Sequence, residues 1–381
     1  MMHSPARYRR RIARRPRTVV LQADPFCNLD CTYCYLPDRK RRAPMPVAIA
    51  EAVARSVAEF AVAASPEPVE VVWHAGEPLA VGRTRLAELL APFEPLRQAG
   101  LVEHSVQTNA ALITPAWCDF LAAYGFRVGV SIDGPATLNR RRVDWAGHQA
   151  FDRIMKGVGQ LREHGIRFSV ISVVSAESVG DPETLLDFMA DLGCHTVGLN
   201  MEEREGVNTD RAVPTAEQAR EFWHRTIAWS RRHPGLTIRE VDRLGAYLRA
   251  VRDGRRDDWD RTLIDPIPTI ASNGDVVLLS PELAGITDPA YENFRAGNVL
   301  EQTIGSMLDR AHQLTYVREF LTGLDECEAT CQFFGFCRGA QAGNRYFENG
   351  RLDTTETNYC RVSRQALVTA LSDTVREEQA A

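Results

Sequence analysis

Apolar residues in this chain fall into two alternating rhythms. Short Val- and Ile-rich runs read as strands at 17–26 (RTVVLQADPF), 69–78 (VEVVWHAGEP), 102–110 (VEHSVQTNA), 126–135 (FRVGVSIDGP), 166–175 (IRFSVISVVS) and 195–203 (HTVGLNMEE). Between them, helical periodicity covers 46–64, 83–100, 115–125, 151–165 and 182–193, and a last helix at 215–234 follows the sixth strand. Several of these segments stop at a Gly, as expected where a helix ends in a left-handed residue. Six strands alternating with helices predict an α/β fold, a parallel sheet with its helices outside. In such βα architectures the chemistry sits at the C-terminal ends of the strands.

Composition narrows the picture. With 381 residues and 44% hydrophobic content, the chain can bury a large core and hold two domains. No run approaches the ~20 apolar residues of a membrane span. The N-terminal VVL is too short for the apolar core of a signal peptide. A cytoplasmic protein without a membrane partner is expected. Nine cysteines, seven of them in two tight groups, then read as metal ligands in a reducing compartment. Net charge is −5, yet the first 18 residues carry seven Arg and no acid. A disordered, solvated basic arm over 1–17 is expected there in preference to a surface for nucleic acid or an acidic peptide.

The densest chemistry is CNLDCTYC, in which Cys27, Cys31 and Cys34 are spaced C-x3-C-x2-C just after the first strand. Three thiolates this close can hold three corners of a cubane iron–sulfur cluster and leave one iron open to a small molecule. A closed structural site would want a fourth ligand nearby, and the next cysteine is Cys118. A zinc site or three unrelated core thiols are the alternatives. With Tyr33 before the third cysteine, the segment resembles the signature of the radical S-adenosylmethionine (SAM) enzymes. That resemblance implies an open, partial (β/α)6 barrel over 18–240 and a [4Fe-4S] cluster whose open iron is chelated by SAM. One electron would then cleave SAM to a 5′-deoxyadenosyl radical that abstracts hydrogen from a substrate. The cofactor carries that chemistry; the protein positions it and excludes water.

Successive strand ends extend the resemblance. HAGEP is similar to the family's GGEP motif, with Ala75 replacing the first Gly; Gly76 and Glu77 would meet the methionyl amino group. In QTNA, Gln107 and Asn109 either face the site or form a strand-end turn. In SIDGP, Ser131 matches a SAM-contacting Ser, while Asp133 shapes the turn with Gly134 and Pro135. Arg142, in RRRVD, matches an Arg that pairs with the SAM carboxylate, though its two arginine neighbours leave the register open. Among nine scattered His, His74 alone adjoins the motif. Cys118 and Cys194 read as buried structural thiols.

The second group, Cys327, Cys331, Cys337 and Cys360, is spaced C-x3-C-x5-C-x22-C and can close a cluster completely. A four-cysteine zinc ribbon is the rival. Beside the first triad, this segment resembles the SPASM or twitch extension of peptide-modifying radical SAM enzymes. That resemblance implies a bridge and auxiliary-cluster domain over 241–381. The full pattern has seven cysteines; here Gly274 is followed by Leu279 where a cysteine would fall, so one auxiliary [4Fe-4S] cluster is expected. SPELAG, FRAGNVLEQ, RYFENGRLDTTETNYCR and LNMEEREGVN look most like the cyclophane-forming and glycine-rich-repeat peptide maturases. The implied activity is a cross-link between an aromatic ring and a side-chain carbon of a ribosomally made precursor peptide. Thioether formation, epimerisation and formylglycine-type oxidation are alternatives, and a non-catalytic iron–sulfur or zinc protein is a distant one. An electron donor such as flavodoxin or ferredoxin is implied. With no room for a leader-binding domain before Cys27, another surface or a separate protein would bind the leader. The acid–base candidates are Glu202 and Glu203 after the sixth strand, with Asp265 and Glu282. Neighbours in an extended segment point apart, so at most one of the first two should reach the site.

Overall fold

Each of the six apolar runs contains a strand in the computed structural model, which describes residues 5–60 and 67–380. They are β1 (Thr18–Leu21), β2 (Val69–Trp73), β3 (Val102–Thr108), β4 (Arg127–Ser131), β5 (Phe168–Val174) and β6 (Thr196–Met201). Consecutive strands pair in parallel from β1 to β6. Beyond β6 lies the short β7 (Thr237–Ile238); beyond β1 lie β8 (Thr269–Ile270), β9 (Asp275–Val277) and β10 (Gly297–Asn298). The order β10-β9-β8-β1-β2-β3-β4-β5-β6-β7 leaves two free edges, so the barrel stays open. The segment after residue 240 thus adds three strands to the same sheet.

The strands are buried on the helix side and half-buried on the inner side. In β5, Phe168, Val170 and Val174 pack in the core, while Ile171 and Val173 line a cavity at the barrel mouth. The alternation follows from the two-residue period of a strand. Helices cover the outer face at Val47–Phe60, Pro115–Ala123, Phe151–Glu163, Pro182–Leu192 and Ala216–Arg232. The first was expected to reach residue 64, but 61–66 lie outside the described residues. The expected helix over 83–100 is broken into Arg83–Leu90, a tight turn at Ala91–Phe93 and Glu94–Gln98. Pro92 and Pro95 withhold backbone donors there, which prevents one continuous helix. Cys118 and Cys194 are buried, as expected.

From residue 5 onward, the solvated arm is corrected. Pro5–Arg11 is a helix whose Tyr8, followed by Ile12, is buried. Arg7 Nε and Arg11 Nη2 donate to Asp325 at 2.8 Å, and Arg11 also pairs with Glu328. These acids lie on helix Thr315–Thr330, so two arginines of the basic run are paired within the chain itself. The other end of the chain also folds back. Helix Ala366–Ala380 packs along Ala216–Arg232, with Arg220 bound to Asp373 at 2.7 Å. No helix among the described residues is long and apolar enough to cross a membrane.

Candidate active site

The loop after β1 carries Cys27, Cys31 and Cys34, and its position is set by backbone contacts on every side. Asp24 accepts from the N–H groups of Phe26 (3.0 Å) and Ala43 (2.9 Å). The Trp145 indole donates to the Cys27 carbonyl at 2.9 Å. The β2 turn presses against the loop: at Gly76, φ is +67° and an added Cβ would lie 2.5–2.8 Å from the carbonyl oxygens of Asp24, Pro25 and Phe26. Only glycine meets both conditions. Ala75, with φ of +68°, carries the strain that the family's first Gly would avoid.

All three cysteines line one cavity of about 500 Å³ at the C-terminal ends of the strands. Tyr33, Gly76, Glu77, Gln107, Asn109, Ser131 and Arg142, seven positions picked out from the sequence, line it too. Several are already engaged. Glu77 Oε1 accepts from Leu79 N–H and the Thr108 hydroxyl, and Oε2 from Asn109 N–H at 2.8 Å. Of its roughly four acceptor positions, one on Oε2 is left for an ammonium. Burial lifts this carboxyl to about 6. Asn109 donates to Asn28 Oδ1 at 2.8 Å, fixing the triad loop to β3. Gln107 donates to Ser131 Oγ at 2.8 Å across the barrel interior. Burial pushes the His74 imidazole down to about 4, so it faces the cavity neutral.

Asp133 does more than shape a turn. It receives both Nε and Nη2 of Arg142 at 2.9 Å, the Tyr33 hydroxyl at 2.6 Å and the Val173 N–H at 3.0 Å. One buried carboxylate thereby ties the cysteine loop, β4 and β5 together, and leaves Nη1 of Arg142 as the edge not committed to Asp133. Of the run Arg140, Arg141 and Arg142, it is Arg142 that lines the cavity, with Arg141 turned to Glu177 and Glu202.

The acid candidates divide. Glu202 lines the cavity, each of its oxygens held in an ion pair, with Arg211 and Arg141 at 2.8 Å. Asp265 lies elsewhere: it accepts from the N–H groups of Arg17 and Thr18 (3.1 and 3.0 Å) at the start of β1, the opposite end from the cysteines. The Asp265 candidacy is corrected. Glu203 and Glu282 do line the cavity, joined by Glu205, which the sequence reading missed. Asn344 donates to Glu203 and, at 3.0 Å, to Glu205. Burial raises all three carboxyls, Glu203 and Glu205 well above their ordinary range; after burial, the charge of Glu205 is the largest influence on Glu203 and that of Glu282 the largest on Glu205. Glu205 is brought in by a turn: Gly206 has φ of +54° and sits where a Cβ would overlap the Tyr35 carbonyl.

A second cavity, of about 330 Å³, is lined by all four C-terminal cysteines. Helix Thr315–Thr330 presents Cys327, and Cys331 follows it; the one-turn helix Phe334–Cys337 ends on Cys337, and Cys360 opens the last helical segment. Among the described residues, Arg345, 1% exposed, donates to Cys327 Sγ at 3.4 Å and otherwise only to the carbonyls of Gly339, Leu352 and Thr354. A buried guanidinium without a carboxylate needs another anion, and a ligating thiolate supplies one. Among the described residues, no three His, Cys, Asp or Glu side chains converge tightly enough for one metal ion. Thiols spread around a cavity suit a cubane better than the ~2.3 Å Zn–S shell of a single zinc. The three-thiol loop beside Gly76 and Arg142 likewise fits an open cluster carrying an amino acid-like ligand. Leu279, at the expected position of a further cysteine, is buried in the core. Arg364 lines both cavities.

A model of the Radical SAM superfamily matches residues 24–189. "Uncharacterized protein sll1766" of Synechocystis sp. is 33% identical over 357 residues, covering 90% of this chain and 88% of that one. The serine-type anaerobic sulfatase-maturating enzyme of Bacteroides thetaiotaomicron is 21% identical over 334 residues, 84% and 81% of the two chains. Among solved structures, anSMEcpe with bound AdoMet and Cp18Cys peptide superposes with a TM-score of 0.74 at 17% identity, over 95% of this chain and 99% of that one. Streptococcus suis SuiB bound to precursor peptide SuiA gives 0.64 at 18%, over 92% and 76%. The fold, including its C-terminal extension, is thus that of the SPASM-type enzymes.

Proposed function

The chain belongs to the radical SAM superfamily, and from that membership we propose that it modifies a ribosomally made precursor peptide, joining an aromatic ring to a side-chain carbon in a cyclophane. The observation that carries this reading is a single cavity holding the three-thiol loop, the SAM-facing groups and a set of half-buried carboxyls that SAM does not need. Peptide-bound relatives of the same fold support a peptide substrate. The sulfatase-maturating relatives support a second reading, formylglycine-type oxidation of a Ser or Cys side chain, about equally well.

When bound, the open cluster and SAM supply one-electron hydrogen abstraction. Cys27, Cys31 and Cys34 hold that cluster. Gly76, Glu77, Ser131 and Arg142 orient SAM, with Tyr33, Gln107 and Asn109 bracing them. Cys327, Cys331, Cys337 and Cys360 would hold an auxiliary [4Fe-4S] cluster, which would supply an acceptor for the electron that a cross-linked product must discard. Within the Glu203–Glu205–Glu282 group, one ionised carboxylate accepts the proton lost as the ring regains aromaticity. A flavodoxin or ferredoxin would supply electrons, and a separate protein could hold the leader.

One anaerobic assay tests these assignments, following iron, 5′-deoxyadenosine and peptide product. Two cubanes require about eight irons per chain. Replacing Cys27, Cys31 and Cys34 together by Ala should leave about half of the iron and no 5′-deoxyadenosine. Cys327→Ala or Cys360→Ala should still form 5′-deoxyadenosine but little product, and Glu203→Gln with Glu205→Gln should slow product alone. Stoichiometric zinc would restore the zinc ribbon. A hydrazide-reactive aldehyde in place of a ring cross-link would establish the oxidation instead.

A further inference from the structure

The mouth cavity holds more arginine than its neighbouring acids satisfy. Arg239, Arg243 and Arg364 all line it. Arg239 is paired with Glu240 and donates to Asn200 at 2.6 Å. Arg364 donates to the Tyr359 hydroxyl at 2.9 Å, and its Nε is buried without a partner. Part of its charge is offset by Tyr359, Cys337, Glu240 and Cys360. Arg243 is different. Among the described residues it makes no hydrogen bond or ion pair; it is exposed at the cavity mouth, its guanidinium lies 6.0 Å from the Phe336 ring centroid, and it is repelled by Arg364 and Arg239 while Tyr359 and Cys337 attract it. Beside it Ser363, 5% exposed, also lines the cavity with its hydroxyl unpartnered.

The buried donors without partners, the Ser363 hydroxyl and Arg364 Nε, carry a cost until a ligand meets them, and arginines crowded by like charges favour an anion beside them. The acids nearby in the same cavity are engaged elsewhere: Glu240 with Arg239, Glu203 and Glu205 with Asn344, and Glu282 with the Ser280 hydroxyl. A ligand from outside the chain can supply the partner that the unmet donors lack. A planar guanidinium with several N–H groups and an adjacent hydroxyl match a carboxylate, which accepts two or more hydrogen bonds in one plane. The SAM carboxylate has its own arginine, Arg142, beside the cysteine loop.

We propose that Arg243, with Ser363 and Arg364, binds a carboxylate of the peptide substrate, either its C-terminus or an Asp or Glu side chain. This assignment rests on the peptide reading of the same cavity. It explains how a barrel open on two edges selects which residue of a long peptide is presented: an acidic group is anchored at the arginines and a neighbouring side chain extends toward SAM.

The test uses the reconstituted holoenzyme with SAM, unreduced so that nothing turns over, and three capped tetrapeptides. Each begins N-acetyl-Gly-Phe-Gly and ends in aspartate amide, asparagine acid or asparagine amide. Calorimetry should show one of the two acids bound at least tenfold more tightly than the neutral amide, and which one identifies the source of the carboxylate. In Arg243→Gln that preference should fall below threefold, with part of it kept in Arg243→Lys. Removing Arg243 breaks no ion pair, so the variant should fold. Equal binding of all three peptides, no binding of either acid, or an unchanged preference in Arg243→Gln would overturn the assignment. So would a tenfold loss of SAM affinity in that variant without peptide, because the arginine would then serve SAM. Reduced enzyme is assayed in parallel: 5′-deoxyadenosine with charge-blind peptide binding sinks only the carboxylate site, whereas no 5′-deoxyadenosine sinks the radical reading beneath it.

Discussion

Gly76 is where one missing methyl group matters most. Its left-handed backbone and three carbonyl neighbours mean that Gly76→Ala must move either the turn or the cysteine loop. We expect that variant to lose SAM cleavage while keeping its iron, with 5′-deoxyadenosine as the measure. Ala75→Gly, by contrast, relieves a left-handed Ala, which costs on the order of 1 kcal/mol, and should leave thermal stability equal or slightly higher. His104 gives a pH signature. It is buried among Trp73, Phe93 and Phe126, with its Nδ1 accepting from the Trp73 indole at 3.3 Å. Burial lowers it to about 4. The unfolded chain takes up that proton near 6.5, so the stability due to neutral His104 is complete above pH 6.5. It is lost as the pH falls from there through 4, by up to ~3 kcal/mol. Urea midpoints of His104→Phe should decline less than those of the wild type over that window; parallel declines would refute the role. The cysteines and strand-end residues were legible because each sits in a short motif. Asp133 and Glu205 were not. The hub role of Asp133 depends on Tyr33 and Arg142, residues on other segments, and Glu205 reaches the cavity only through the turn at Gly206.

The paired helices Ala216–Arg232 and Ala366–Ala380 join the barrel to the auxiliary site. Trp223, fully buried on the first, donates its indole N–H at 2.8 Å to the carbonyl of Val362, two residues after Cys360. Trp223→Phe keeps the ring but leaves that carbonyl unpaired, a loss of about 1–3 kcal/mol. The local consequence should exceed the global one: iron should escape faster from the auxiliary site than from the triad when the variant meets a chelator. Equal rates would show that Trp223 serves only general stability. At this scale the periodic helices were readable, because each buries one apolar stripe against the sheet. Prolines decided the break within 83–100. The N-terminal helix was misread because its arginines signal solvent until Asp325 and Glu328 are seen opposite them.

Over the whole molecule, two cavities meet at Arg364, and the sheet runs unbroken from β7 through the barrel to β10. Alternation of strand and helix made the barrel half plain. The extension was visible only through its cysteines, since its strands are two or three residues long and carry no period of their own. The docking of Pro5–Arg11 on Thr315–Thr330 also has a consequence in time. Arg7 and Arg11 wait for an acid 314–318 residues further along; at about 5–20 residues per second of synthesis, that is on the order of 15–60 s on the ribosome. Through that interval the arginine-rich segment is emitted, the triad follows it, and the surface that will cover both does not yet exist. Ribosome-stalled chains that stop short of residue 315 should therefore be clipped by trypsin at Arg7 to Arg11. Chains stalled well past residue 330 should resist, so late synthesis would be the step at which the barrel's first loop becomes protected.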